Sequence, residues 1–567
     1  MIFHFGDLRP VVPLGILEST AFYSGNYPIE YGDATAGLIA VTTKSEPVPR
    51  LTGYLDVNWA DLSAVLSVPL KKKRRMSLTL SGQFSMLDRV LNEALPHNGT
   101  VSIDNLPRYW DAQLSWIYRP APSLRLKFLA LASHDDLVDW FGNTSYGEPA
   151  QGTYVLKTQF YRGIVSAEWN PSERFSSQIV LGGGLDKTEQ HSPEYDVNLL
   201  KLQVRPSLRA RLWRQLWLNF GVDYLAEQLR DSSLAESAAP NSTTSSGTIQ
   251  LNKHSSHLVG AYLAFDWLLW KRLQLLPGLR VSYSTLAKET LVDPRIVVRL
   301  DLLKGRKGAA NVAIKVAIGG YHQPPSLLQS SSQIGNPSLS AESSIHYLWG
   351  LEYRPIRQLM IDLAGFWVTE NDVIVRTSST TTRNGTPVPQ VFNNQGSGKT
   401  RGVELFIRQE LWKGLEGFLY YTYSVSDLSS ASGQAETTSS YDQTHVFGAM
   451  LSYLFPRGFK LRARFQYATG FPTTGIVDSI FNSSSNQFQS ISGTTLGDRI
   501  PDFSQLDLRL DKIWTLKWAT ISAYLDVRNV YNRKNVVTSY SYNYDYSQRY
   551  ARTGIPILPM FGMRADF

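Results

Sequence analysis

Cysteine is missing from all 567 residues, so neither a disulfide framework nor a thiolate metal site is available to this chain. Also missing is any uninterrupted apolar run long enough for a spanning helix, which excludes a helical membrane protein. The amino terminus, Met1-Ile2-Phe3-His4-Phe5-Gly6-Asp7, lacks a basic n-region, an apolar h-region and a small-residue cleavage site. No Gly-x-Ser-x-Gly elbow occurs, so the nucleophile turn of an α/β-hydrolase is absent. Nor does composition shift enough anywhere to mark independent cores, which favours one large unit.

Aromatic residues, by contrast, are plentiful: 29 Tyr, 24 Phe and 14 Trp in a chain that is 43% hydrophobic. Aromatics without helical spans suit a membrane barrel, whose Trp and Tyr sit at the lipid interfaces while luminal positions stay polar. A large soluble β-protein is the alternative. The net charge of +8 would suggest nucleic acid as the partner of a soluble protein. Here much of the excess falls in short turns, at Lys71 to Arg75, Arg174, Arg214, Lys271, Arg272, Lys304, Arg306, Lys307, Arg357, Lys413, Arg457 and Lys517. No nucleic-acid partner is therefore expected.

The period of two is plain in Leu506-Asp507-Leu508-Arg509-Leu510-Asp511, where Leu takes one side and charge the other. Lys460 to Tyr467 and Ile521 to Arg528 repeat it. The charged side cannot meet lipid, so a polar interior inside an apolar belt is expected. Short turns are expected near Lys72, Pro120, Pro171, Arg214, Lys271, Gly305, Pro355, Lys413, Arg457 and Lys517. Between them lie long loops, among them 134–154, 186–198, 226–256, 367–400 and 469–502, and a shorter link near Asp61 precedes the series. That rhythm predicts an all-β, antiparallel transmembrane barrel of about 22 strands, the size at which a plugged lumen is expected.

Residues 1–47 do not share the rhythm. They contain Phe22-Tyr23-Ser24-Gly25-Asn26-Tyr27-Pro28-Ile29-Glu30-Tyr31-Gly32-Asp33, then Gly37-Leu38-Ile39-Ala40-Val41-Thr42-Thr43-Lys44. This resembles the closing segment of the plug of TonB-dependent outer-membrane receptors, with Gly25, Tyr27, Pro28, Tyr31, Gly32 and Gly37 on the motif and Asn26 where Gly is commoner. Asn336-Pro337-Ser338-Leu339 with Glu342, and Gly402-Val403-Glu404, resemble barrel signatures of the same family. Thr469 to Pro472 and Asp526 to Asn532 follow in order. The terminal Gly562, Ala565 and Phe567 resemble the signal read by the barrel-assembly machinery.

The resemblance implies a plug remnant at 1–47, a barrel at 48–567, and a truncated start, since signal peptide, TonB box and most of a plug are not in the sequence. It implies an outer-membrane location in a Gram-negative cell, a monomer set in lipid and lipopolysaccharide, the TonB complex as partner, and active uptake of a scarce small molecule. A siderophore-iron complex, cobalamin or an oligosaccharide would each fit. A passive pore, or a surface adhesin or phage receptor, are the competing functions. No cofactor, metal or enzymatic activity is expected.

Candidate solute-binding residues are Trp140, Tyr146, Tyr321, His322, Asn393 and Asn394. Asn393 to Thr400 ends like a phosphate-binding loop, but the motif needs Gly at 393 and a following helix, where a strand is expected. His254 and His257 would point to opposite faces of a strand, which disfavours a metal pair. Asp135, Asp136 and Asp139 read as solvated loop carboxylates. The Ser/Thr/Asn stretches at 231–248, 374–386 and 478–495 read as extracellular loops.

Overall fold

A computed structural model describes residues 4, 9–70, 75–86, 108–145, 148–191, 195–235, 248–303, 310–377, 380–383, 386–389, 391–431, 436–484 and 486–567. Twenty-four strands hydrogen-bond into one closed antiparallel sheet. Two of them, Thr248–Leu251 and Thr437–Thr438, only prolong the ladders of their neighbours, so 22 strands close the barrel. The seam lies between the ends of the chain: Thr52–Asn58 pairs with Leu558–Asp566, and Gly53 and Phe567 exchange two backbone bonds of 3.0 Å. Closure leaves no unpaired edge, which is what a sheet in lipid requires.

The burial pattern is inverted relative to a water-soluble protein. In the strand Glu289–Leu303, Asp293 and Arg295 are buried while Val292, Ile296 and Leu300 stand exposed. In Thr52–Asn58 the same holds for Asp56 and Asn58 against Leu55 and Val57. Alternation places every second side chain in the lumen, and the polar set has gone there because the opposite face meets hydrocarbon. Asp507 and Asp511 are likewise buried and Leu510 exposed, as the sequence pattern implied.

All ten expected short turns separate strands that pair with each other, although 71–74 and 304–309 themselves lie outside the described residues. The long loops needed correction. Leu124–Ser145 and Glu148–Ser172 pair across most of 134–154, and ladders also run far into 186–198, 226–256 and 367–400. A strand leaving the bilayer keeps the same hydrogen-bond partner, so composition turns polar before the ladder ends. Within 469–502 a separate hairpin, Ile476–Asn482 with Gln487–Ser492, replaces the irregular loop expected there.

Outside the barrel sheet, β1 (Leu17–Tyr23) and β2 (Leu38–Thr43) form a two-stranded hairpin. Among the described residues it shares no ladder with the barrel strands.

Candidate functional site

Because the lumen is lined by charge, the N-terminal segment meets it through side chains. His4 is fully enclosed, with Nδ1 3.0 Å from Asp135 and Nε2 2.9 Å from Asp111, and its ring stacks on Tyr109 at 4.1 Å. An imidazolium satisfies two carboxylates at once by donating from both nitrogens. Burial pulls its pKa down, but the hydrogen bonds it donates to Asp111 and Asp135, with their charge, outweigh that and leave it raised. Arg9 makes a two-pronged bond to Asp61, Nε donating at 2.9 Å and Nη2 at 2.8 Å. Gln83 and Gln113 donate to the carbonyls of Pro10 and Val11.

Asp135 is thus not a solvated loop carboxylate: it is an inward position of the strand Leu124–Ser145, covered by His4.

The plug-like motif is the second contact. Arg295 Nη1 donates to three carbonyls of its turn, those of Tyr27 at 3.1 Å, Pro28 at 3.0 Å and Tyr31 at 2.8 Å. Its guanidinium lies over the rings of Tyr27 (4.6 Å) and Tyr321 (4.2 Å). Arg280, itself buried, reaches Asp33 at 3.2 Å and Asp223 at 3.5 Å. Gly32 is required by that approach, because a β-carbon there would run into the Arg280 guanidinium. At Gly37 an added β-carbon would stand 2.7 Å from the Tyr23 carbonyl oxygen. Burial pushes the Asp33 carboxyl up to about 6, against the pull of Arg280.

A third contact is made by His346, whose Nε2 donates to the Thr35 carbonyl at 2.9 Å while Nδ1 accepts from the Asn26 amide at 3.4 Å. Glu404, of the Gly402-Val403-Glu404 signature, accepts from the Ser24 hydroxyl at 3.1 Å.

The six solute-binding candidates do not form one cluster. Tyr321 is fully buried against Tyr27 and donates to Asn26 at 2.9 Å. His322 bonds Asp293 at 2.6 Å. Asn394 ties down the Asn336–Glu342 region through Ser340 and also donates to Asp372, and Asn393 accepts from the Gln395 amide. Trp140 pairs with Thr153 through its backbone, but its side chain, like all of Tyr146, lies outside the described residues. Asn393 to Thr400 belongs to the strand Phe392–Trp412, so no phosphate loop forms.

The residues that hold the segment, Arg280, Arg295, His346, Asp111 and Asp61, were not singled out from sequence. Their signal was there: each is a charged or His residue at an inward position of an alternating strand, as in Leu279-Arg280-Val281-Ser282. Away from the segment the lumen keeps a polar cavity of about 300 Å³ lined by Arg299, Asp301, Asn311, Glu352 and Arg354. Among the described residues no group of three or more His, Asp or Glu is placed to hold a metal ion.

The family model described as TonB dependent receptor-like, beta-barrel, matches residues 68–530. No curated protein sequence matches the chain. Among solved structures, the siderophore receptor PirA from Acinetobacter baumannii gives a TM-score of 0.73 at 12% identity, over 98% of this chain and 86% of that one. FpvAI in its complex with pyocin S2 gives 0.71 at 14%, over 100% and 79%. A mutant of the ferric enterobactin receptor PfeA from Pseudomonas aeruginosa gives 0.69 at 15%, over 98% and 86%. At such identities the likeness is one of fold, and the family match carries the assignment. Matched over most of its length by that model, this chain belongs to the TonB-dependent receptors, and is an outer-membrane receptor and transporter rather than an enzyme.

Proposed function

We propose that the chain takes part in TonB-driven uptake of a scarce solute into the periplasm, with residues 1–47 the closing part of a plug and 48–567 the barrel. What supports this is the way the N-terminal segment is held: by side-chain pairs to the luminal wall, with no strand pairing to it among the described residues. Such contacts exchange one at a time for water when the segment is pulled, whereas a ladder shared with the barrel would open the wall itself. On this reading Gly25, Tyr27, Pro28, Tyr31, Gly32 and Gly37 are docking residues.

The long-loop end receives the solute, and the TonB complex supplies the pull from the periplasmic side. Gly562, Ala565 and Phe567 are the assembly signal on the strand that closes the barrel. A siderophore-iron chelate is the first solute class to test, since PirA is a siderophore receptor and PfeA a ferric enterobactin receptor; cobalamin and oligosaccharides come next.

The experiment is uptake of a radiolabelled ferric siderophore by cells producing the chain from its full reading frame, with and without a protonophore. Gradient-dependent entry supports the proposal. Entry that persists after discharge moves the function to a passive pore, and surface attachment without entry moves it to a receptor for phage or other particles.

A further inference from the structure

We propose that the turn end of the barrel is a collar that binds anionic phospholipid headgroups of the periplasmic leaflet. This rests on the outer-membrane reading, in which short turns face the periplasm. Three observations converge there.

The first is charge without a counter-charge. Arg214, Lys271, Arg357, Lys413, Arg457 and Lys517 are exposed at the turns, and among the described residues none has a carboxylate within ion-pairing distance. Further along the same strands the bases are paired, Arg209 with Asp266, Arg408 with Glu410 and Lys460 with Glu416.

The second is a repeated irregularity. In seven hairpins the register slips just before the short turn, for instance at Arg211/Trp213, Leu268/Trp270, Asp301/Leu303 and Gln409/Trp412. A bulge breaks alternation and re-aims side chains. Consecutive apolar residues therefore both stand out, as in Leu212 with Trp213, Leu302 with Leu303 and Leu411 with Trp412.

The third is position. Trp213 and Trp270, 70% and 67% exposed, directly precede Arg214 and Lys271, and Trp412 precedes Lys413, whose Nζ lies 4.9 Å from the Trp412 ring. An aromatic at the acyl–headgroup boundary with a base one residue further out matches the layering of a phospholipid. Free phosphate would use the bases but leave the apolar shoulder unused, so the ligand is the lipid. Anionic headgroups are favoured over zwitterionic ones because the latter carry their own ammonium beside the phosphate.

The test is native mass spectrometry of the full chain, folded in detergent and offered equimolar phosphatidylglycerol and phosphatidylethanolamine. Phosphatidylglycerol adducts should exceed the others at least fivefold. The variant R214Q/K271Q/K413Q/R457Q should fall to near parity, while K253Q/K534Q at the loop end keeps the preference; heat-modifiable mobility verifies that each barrel is closed. Equal adducts in the unaltered chain, or a preference that survives the fourfold substitution, would overturn the collar. Insertion into phosphatidylcholine vesicles is scored separately by protease protection. A chain that enters no bilayer sinks the outer-membrane reading, and one that enters without headgroup preference sinks the collar alone.

Discussion

The barrel wall and the segment inside it are held by different physics. The wall is a ring of backbone ladders, closed at Gly53 and Phe567, in which no single side chain decides the outcome. The segment around the Tyr27–Gly32 turn contributes a short hairpin, and its place is set by a handful of charged side chains reaching in from the wall. One region therefore tolerates side-chain loss, while the other is sensitive to single residues. On the proposed uptake reading, such a division would keep the wall closed while the segment lets go.

The strongest way to break the contrast is to remove both luminal arginines. In the double variant Arg280→Ala and Arg295→Ala, half-buried Asp33 and three turn carbonyls lose their arginine donors, and buried Asp223, still held by Gln203, loses one of its own, a loss of about 3–5 kcal/mol per broken buried pair. Residues 24–36 should become accessible to added protease while the barrel keeps its heat-modifiable mobility. Loss of the barrel as well would mean that wall and segment are one cooperative unit.

A charge on the outer face should do the reverse. Leu263 is exposed midway along His254–Trp270, and Leu263→Arg should cost the barrel about 2–4 kcal/mol near the bilayer centre. Urea titration in phospholipid vesicles measures this, and an unchanged midpoint would contradict the assignment of that face to lipid.

Smaller is Gly32→Ala, which forces the Arg280 guanidinium aside for about 1–3 kcal/mol of overpacking. Faster amide exchange confined to the Tyr27–Asp33 turn is the expected signature, with the wall unaffected.

The mildest probe is pH. His4 is raised, so its share of the docking energy is whole below the ordinary imidazole value and fades as pH climbs through the raised one. Asp33 is also raised, so its share is whole below 3.8 and fades as pH passes about 6. Both signs agree: these two groups hold the segment more tightly at pH 5 than at pH 8, and exchange rates corrected for intrinsic chemistry, compared between the unaltered chain and the His4→Gln, Asp33→Asn variant, should show it. A difference between the two chains that grows with rising pH would contradict the assignment of these two groups.

Much of this was legible in the chain itself. Alternation and basic turns are local features, visible within a dozen residues, and they carried the strand count, the ten turns and the polar interior. The Gly25–Gly37 pattern marked the segment, and Gly402-Val403-Glu404 marked a residue that touches it at Ser24. Ladder ends were misplaced because polar composition begins where the bilayer ends, not where hydrogen bonding does.

What only the tertiary structure decided is which charges meet. Asp135 lies 131 positions from the His4 it holds, and Arg295 lies 268 from the Tyr27 carbonyl it caps. The register of every intervening strand fixes those pairings, and a slip of one residue would turn each of these side chains toward lipid. The sequence by itself determined a closed barrel with charge inside, because period and turn spacing are written along the chain. The partners of that charge, and the bulges that bare Trp213 and Trp412 at the turn end, follow from closing 22 strands into one ring, which no single stretch of sequence records.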